Sequence, residues 1–119
     1  DMGNPHGVIF CPEPEEIDLE VRGAVLGRDP AFPGEWNIEF VAVEAWDRLR
    51  VRVWERGSGP TLACGTGACA VLAAAVKSGR CDRRATVALP GGELKVEWER
   101  ESGRILLTGP ARTVFQGEI

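Results

Sequence analysis

The chain has 119 residues, a formal net charge of −4 and an apolar content of 44%. A chain of this length can bury one hydrophobic core, and the composition is typical of a globular domain. The acidic balance, with a sequence pI near 5.0, argues against nucleic acid as a partner, because domains that bind nucleic acid carry basic surfaces. The apolar stretch 68–76 is too short to cross a bilayer and no signal peptide is visible. We therefore expect a cytoplasmic protein with no membrane partner.

The four cysteines do not form the dense framework of a small disulfide-stabilised protein, which fits a reducing compartment. Cys64 and Cys69 lack the spacing of a zinc knuckle, and the single histidine, His6, lies near the start of the chain. We therefore predict no metal site. Cys69 and Cys11 have apolar neighbours, and we interpret both as small core residues.

The first predicted element is a strand in the apolar run 8–10, which follows a Gly-Asn-Pro turn and His6. A lone histidine is more often structural than catalytic. A rigid turn that leads into a strand is nevertheless a common place for a functional loop.

A helix is predicted over about 15–26, with Gly27 as its stop, although the alternation of Ile17, Leu19 and Val21 also permits a strand. Two strands follow near 36–44 and 48–54. In the second, three apolar residues alternate with three arginines, whose face we interpret as solvated: Leu49, Val51 and Val53 against Arg48, Arg50 and Arg52.

The same alternation places Glu55 on the apolar face. Glu55 and Arg56 could simply be a solvated strand end, which is the usual role of adjacent charges. A buried carboxylate next to a thiol could instead accept its proton and act as a relay.

The central prediction is a buried helix that begins at Cys64 and ends at Gly79, because residues 71–76 are all apolar. A thiol at a helix N-terminus is stabilised as thiolate, and Gly65 and Gly67 let a small anion approach the free N–H groups. The spacing Gly65, Gly67, Ala70 also fits a dinucleotide fingerprint, but that motif needs a parallel βαβ unit and antiparallel-looking segments follow it.

Four more strands are predicted near 85–89, 94–98, 105–108 and 112–115, with turns at 90–92 and 102–103. The sequence therefore predicts an antiparallel meander around one helix, which is an α+β fold.

Four segments, in this order, closely resemble the diaminopimelate epimerase family: Gly-Asn-Pro-His at 3–6, Trp-Glu-Arg-Gly-Ser-Gly at 54–59, Ala-Cys-Gly-Thr-Gly-Ala-Cys-Ala at 63–70, and Gly-Pro-Ala to Val-Phe-Gln-Gly at 109–117. The resemblance covers essentially the whole chain. It implies a cofactor-independent epimerase that converts LL- to meso-diaminopimelate in lysine and cell-wall precursor biosynthesis. It also implies two similar halves related by a pseudo-two-fold axis. Each would be a curved, barrel-like antiparallel sheet around a central helix, supplying one catalytic cysteine to a site between the halves.

Residue by residue, the resemblance makes Cys64 one of two acid/base cysteines, Glu55 its dyad partner, and His6 the residue that assists the other cysteine. The implied substrate contacts are side chains that hold the distal amino-acid group and backbone N–H groups that bind the reacting carboxylate: Asn4, Asn37 and Arg56 for the former, Gly65 and Thr66 for the latter. Such a reaction needs a base, an acid on the opposite face, and stabilisation of the charge that develops when the α-proton leaves.

The chain matches only the second half of the family pattern, so we expect residues 1–119 to be one domain that corresponds to the C-terminal half, with the N-terminal half absent. It contains no second catalytic Cys-Gly motif and begins at Asp1 rather than methionine, as a piece of a longer protein would. The expected partners are an amino-acid substrate, the missing half and, in its absence, a second copy. Two alternatives stay open: a non-catalytic binding or dimerising module, and a hydrolase or transferase that uses Cys64 as nucleophile with His6 and Glu55.

Overall fold

A computed structural model describes residues 2–31 and 34–119. In chain order the elements are β1 (His6–Phe10), a 3₁₀ turn (Pro14–Glu16), α1 (Leu19–Gly27), β2 (Asn37–Ala45), β3 (Arg48–Glu55), β4 (Gly59–Thr61), α2 (Gly65–Lys77), β5 (Arg84–Leu89), β6 (Gly92–Trp98) and β7 (Ile105–Thr108). The α+β class is confirmed. Within the described ranges, no helix is long and apolar enough to span a membrane.

The seven strands form one mixed sheet in the order β1-β2-β3-β5-β6-β7, with β4 paired to β3. The prediction of an antiparallel sheet is wrong for two pairs, because β1 with β2 and β3 with β5 are parallel. In both cases a helix lies on the connection between the strands, and such a crossover returns the chain in the same direction. Among the described residues β1 and β7 do not pair, so the sheet is open and the barrel-like shape is incomplete.

Helix α2 is the central helix of the fold, as predicted. It packs against all six strands of the main path, and Ala68, Val71, Leu72 and Ala75 are completely buried. From the sheet, the alternate β3 residues Leu49, Val51 and Val53 face it in the same core. A curved sheet around a helix therefore gives the fold its main core and fixes the position of the N-terminus of α2.

Helix α1 covers the opposite face of the sheet. It packs on Trp54, and a Cβ at Gly23 or Gly27 would lie only 2.4 or 2.3 Å from atoms of that side chain. The predicted start near residue 15 is wrong: residues 14–16 form the 3₁₀ turn, and α1 begins after Asp18, whose side chain accepts a hydrogen bond from Val21 N. An acidic cap satisfies one of the free N–H groups at the helix start.

The arginine face of β3 is not simply solvated, which corrects the interpretation from the sequence. Arg50 pairs with three carboxylates, those of Glu13, Glu15 and Glu44. Arg52 donates to the backbone carbonyls of residues 14, 15 and 17. These contacts attach the 3₁₀ turn and the approach to α1 to the sheet.

Two further differences concern short strands. Sequence reasoning missed β4, which pairs with the end of β3 but consists of Gly, Pro and Thr and has no alternation. The predicted strand at 112–115 is wrong, since residues 109–119 form no strand in the structure and Val114 and Phe115 are 91% and 83% exposed. An apolar alternation becomes a strand only when another strand pairs with it.

Candidate active site

The sheet brings the predicted site residues to one end of α2. Strands β1 and β2 are parallel and both begin at this end, with His6 paired to Asn37. Strand β3 runs the opposite way and ends there at Glu55. Since α2 also begins here, the first turn of a buried helix is surrounded by the polar ends of three strands.

Cys64 is the N-cap of α2. Its backbone is extended, and its Sγ accepts a hydrogen bond of 3.3 Å from Gly67 N. Thr66 Oγ1 lies 3.6 Å from the same sulfur. The residue is only 7% exposed. Both the helix dipole and the Gly67 N–H donor favour negative charge on sulfur.

The other cysteines have surroundings that keep the thiol protonated. Cys69 and Cys11 are half-buried beside apolar clusters, and burial raises the pKa of both thiols. Burial, with the nearby charges of Asp82 and Asp47, raises the pKa of Cys81 to about 11. Only Cys64 combines a helix N-terminus with donors to sulfur.

Glu55 lies at the end of β3 but is not hydrogen-bonded to Cys64 in the described part of the chain. Its Oε1 instead accepts a hydrogen bond of 2.6 Å from Thr61 Oγ1 on β4. The structure therefore brings the expected dyad partner to the same end of the sheet without a direct contact between carboxylate and thiol.

His6 is held between two polar side chains. Its Nδ1 lies 2.6 Å from Glu39 Oε1, and its Nε2 lies 3.2 Å from Asn4 Oδ1. Asn4 Nδ2 in turn donates to Thr66 Oγ1 at 3.5 Å. Three of the predicted residues, Asn4, His6 and Thr66, thus form one hydrogen-bonded group next to Cys64.

Glu39 is the functional candidate that sequence reasoning missed. It is completely buried, and its Oε2 has no hydrogen-bond partner among the described residues. Burial raises the pKa of this carboxyl, and the charge of Glu55 raises it further, against an opposing effect of His6. The available signal was one acidic residue within the apolar run 38–43.

The side chain of Asn37 is hydrogen-bonded to the backbone of Arg56. Asn37 Oδ1 accepts a hydrogen bond of 2.8 Å from Arg56 N, which fixes the chain as it leaves β3. The Arg56 side chain is exposed, and its Nη1 donates to Glu35 O at 3.3 Å. In this geometry Asn37 is a buried anchor and Arg56 presents its charge at the surface.

A groove of about 710 Å³ runs along α2 from its first turn. Gly65 and Thr66 line one end, and Lys77 and Trp98 lie towards the other. Gly65 and Thr66 are exposed, and their N–H groups precede the first intrahelical bond, which joins Ala68 N to Cys64 O at 3.0 Å. This end of the groove can therefore receive an anionic group on backbone donors.

The sequence model described as diaminopimelate epimerase matches residues 1–114. Among curated relatives, the diaminopimelate epimerase of Microcystis aeruginosa is 53% identical over 116 residues, and that of Heliobacterium modesticaldum is 50% identical over 118 residues. The matches cover 98% and 99% of this chain. The chain belongs to the diaminopimelate epimerase family.

This member of the diaminopimelate epimerase family spans only part of its relatives: the match covers 41% of the Microcystis protein and 42% of the Heliobacterium protein. Among solved structures, a Bacillus anthracis phenazine biosynthesis protein of the PhzF family superposes with a TM-score of 0.61 at 19% identity, over 90% of this chain and 34% of that one. At this identity the likeness shows the fold alone.

Proposed function

We propose that this chain is the C-terminal half of an epimerase that interconverts LL- and meso-diaminopimelate, and that it supplies one of the two acid/base thiols. The observation that carries the proposal is the position of Cys64 as N-cap of the buried central helix. There its sulfur accepts a hydrogen bond from Gly67 N–H and lies near the Thr66 hydroxyl. The choice of diaminopimelate as substrate is supported by the names of relatives that are about 50% identical over nearly the whole chain.

In the proposed reaction, one base removes the α-proton and an acid on the opposite face returns one. As a thiolate, Cys64 takes the proton to Sγ; in the reverse direction its S–H donates it to the α-carbon. The N–H groups of Gly65 and Thr66 bind the reacting carboxylate and stabilise the charge that develops beside it. The second thiol comes from the other half of the protein, and no cofactor is required.

The remaining site residues have supporting roles in this proposal. Asn4, Asn37 and Arg56 hold the distal end of the substrate, and His6 assists the thiol of the other half. Glu55 exchanges protons with Cys64, which from its position beside Thr61 requires a side-chain rotation or a bridging water. Because a reactive thiol needs a reducing environment, we place the protein in the cytoplasm.

The geometry disfavours a cysteine-nucleophile hydrolase. Activation of Cys64 in such an enzyme needs a base within hydrogen-bond reach of the sulfur. Both ring nitrogens of His6 face other partners, Glu39 and Asn4. A binding module without catalysis stays the alternative, and solvent deuterium separates it from the epimerase.

The test combines this chain with the part of the Microcystis relative that the match does not cover. The isolated chain should not invert LL-diaminopimelate in D₂O, because it has one base and no donor on the opposite face. The pair should place deuterium at the α-carbon at a rate approaching the ordinary enzyme range, on the order of 1–1,000 per second. Cys64→Ser should abolish the inversion of LL-diaminopimelate by the pair, whereas Cys69→Ser should keep it.

Two outcomes would contradict the proposal. Inversion by the isolated chain at an ordinary enzyme rate would show that no second half is needed. Inversion at the full rate by a folded pair that carries Cys64→Ser would show that another residue transfers the proton on this face.

A further inference from the structure

A line of polar side chains connects a carboxyl group in the core with the thiol at the start of α2. It runs from Glu39 through His6 and Asn4 to Thr66, with successive separations of 2.6, 3.2 and 3.5 Å. Thr66 Oγ1 then lies 3.6 Å from Cys64 Sγ. The proposed reaction gives Glu39 no role, although it is a completely buried acid.

The donors and acceptors along this line have one consistent direction. Asn4 Oδ1 can only accept, so His6 Nε2 must carry a hydrogen to bond it. This is true if Glu39 is protonated and donates to Nδ1 of a neutral ring. It is equally true if Glu39 is a carboxylate that accepts from an imidazolium. In both states Glu39 and His6 share one proton and are neutral overall.

The burial of Glu39 explains why it is bound to His6. One of its oxygens has no hydrogen-bond partner among the described residues, and a buried carboxyl without compensation is costly. The ionisable groups that face it are His6 on β1, Glu55 on β3 and Cys64 at the start of α2. Of these, only His6 can share a proton with it at hydrogen-bond distance.

The direction of the line determines which hydrogen points at the thiol. Asn4 Nδ2 donates to Thr66 Oγ1, so the hydrogen of the Thr66 hydroxyl is free to turn towards Cys64 Sγ. Donation from a hydroxyl favours a thiolate over a thiol. Gly67 keeps the two ends close, since a Cβ there would lie 2.9 Å from Glu39 Oε1 and 3.2 Å from Cys64 Sγ.

We propose that Glu39 is a positioning residue of this site: through His6 and Asn4 it orients the Thr66 hydroxyl towards Cys64. The proposal rests on the role of Cys64 as the acid/base thiol. Its test requires no turnover.

The contact between Glu39 and His6, where the line begins, is tested by NMR. His6 is the single histidine of the chain, so a protein prepared without a histidine tag gives one set of ring-nitrogen signals. We expect Nε2 to be protonated and a ring N–H to be protected from exchange. Glu39→Met, which keeps the length of the side chain, should lose that protection, and Glu39→Gln should restore it because its amide can donate to Nδ1. Glu44→Gln, an exposed change on the same strand, is the matched control.

The contact between Thr66 and Cys64, where the line ends, is tested by the rate of Cys64 alkylation at pH 7, mapped by mass spectrometry. Loss of one hydrogen bond predicts a rate about 2- to 10-fold lower in Glu39→Met and in Thr66→Val. The double variant should react no more slowly than Thr66→Val alone, because both changes interrupt the same line. If Glu39→Met does not fold, Asn4→Ala at a half-exposed position should give the same slower rate.

Three results would overturn the proposal. One is a folded Glu39→Met protein with the wild-type His6 spectrum, and another is additive slowing by Glu39→Met and Thr66→Val. The third is a wild-type alkylation rate in Asn4→Ala. Each can occur whether or not the assembled protein epimerises diaminopimelate, so failure here is distinct from failure of the proposed function.

Discussion

Cys64, at the start of α2, and Cys69, five residues further on, are expected to differ in thiol reactivity. Cys69 is the more exposed of the two, since Cys64 is only 7% exposed and Cys69 is half-buried and lines the groove along α2. If accessibility alone determined reactivity, Cys69 would therefore react first. The thiolate is the nucleophile, however, and the N-cap position with its donors favours the thiolate at Cys64.

Brief alkylation of the native protein with iodoacetamide at pH 8 should therefore label Cys64 before Cys69 and Cys81. Burial raises the pKa of the latter two thiols, to about 11 for Cys81, so both stay protonated well above neutral pH. Labelling of Cys81 should increase only as the pH approaches 11. Peptide mass mapping against time measures the order. Labelling of Cys69 ahead of Cys64 would contradict the assignment of the reactive thiol.

At the scale of the elements, the strand β3 contacts a different helix on each of its two faces. Leu49, Val51 and Val53 pack towards α2, whereas Trp54 packs against α1. The contact with α1 requires Gly23, because a Cβ there would lie 2.4 Å from the Trp54 side chain. The packing of α1 on the sheet thus depends on a tryptophan in the strand and a glycine in the helix.

Gly23→Ala should lower the free energy of unfolding by about 1–3 kcal/mol, although alanine is the better helix former, because overpacking against the tryptophan outweighs propensity. Val25→Ala on the same helix is the control: Val25 is 66% exposed, so the change should have little effect. Urea denaturation of the three proteins measures both. A Gly23→Ala protein as stable as wild type would show that α1 moves aside without cost.

The elements that sequence reasoning predicted well are those with strong local patterns. Strand β3 has strict alternation, and α2 has a glycine-rich start and an uninterrupted apolar body, so both were predicted to within about two residues. The parallel pairing of β1 with β2 has no local signal, because it depends on where α1 returns the chain. Glu39 was missed for a similar reason. On a strand buried from both sides an acid is indistinguishable by pattern from a solvated residue until its partner, His6, is located.

The site residues divide in the same way. Local sequence patterns single out Cys64 and His6, the resemblance adds Asn4 and Thr66, and the structure brings all four into one group. The resemblance paired Glu55 with Cys64, but a contact between two side chains cannot be read from sequence spacing. Here β4, which the sequence analysis did not predict, supplies Thr61 as the hydrogen-bond donor to Glu55.

For the whole molecule, the face around the start of α2 is the surface that the proposed second half would cover. Leu62, next to β4, is 69% exposed there, and the exposed Arg56 follows the end of β3. Leu107, which is 42% exposed and lines the groove beside Gly65, adds to this apolar surface, and contiguous apolar surface favours association when no partner covers it. Two copies related by a two-fold axis could imitate the pairing of the two halves.

We therefore expect the isolated chain to self-associate through this face at micromolar concentration. Arg56→Glu should weaken the association, because it replaces a cation by a carboxylate next to Glu55 and near Glu35 and so makes the same face of both copies more negative. Trp46→Lys is the matched control: Trp46 is 61% exposed but lies in the turn between β2 and β3, at the far end of the sheet. Sedimentation velocity over a concentration series measures the three proteins. A wild-type chain that stays monomeric would contradict the expectation, as would a dimer that Trp46→Lys disrupts and Arg56→Glu leaves intact.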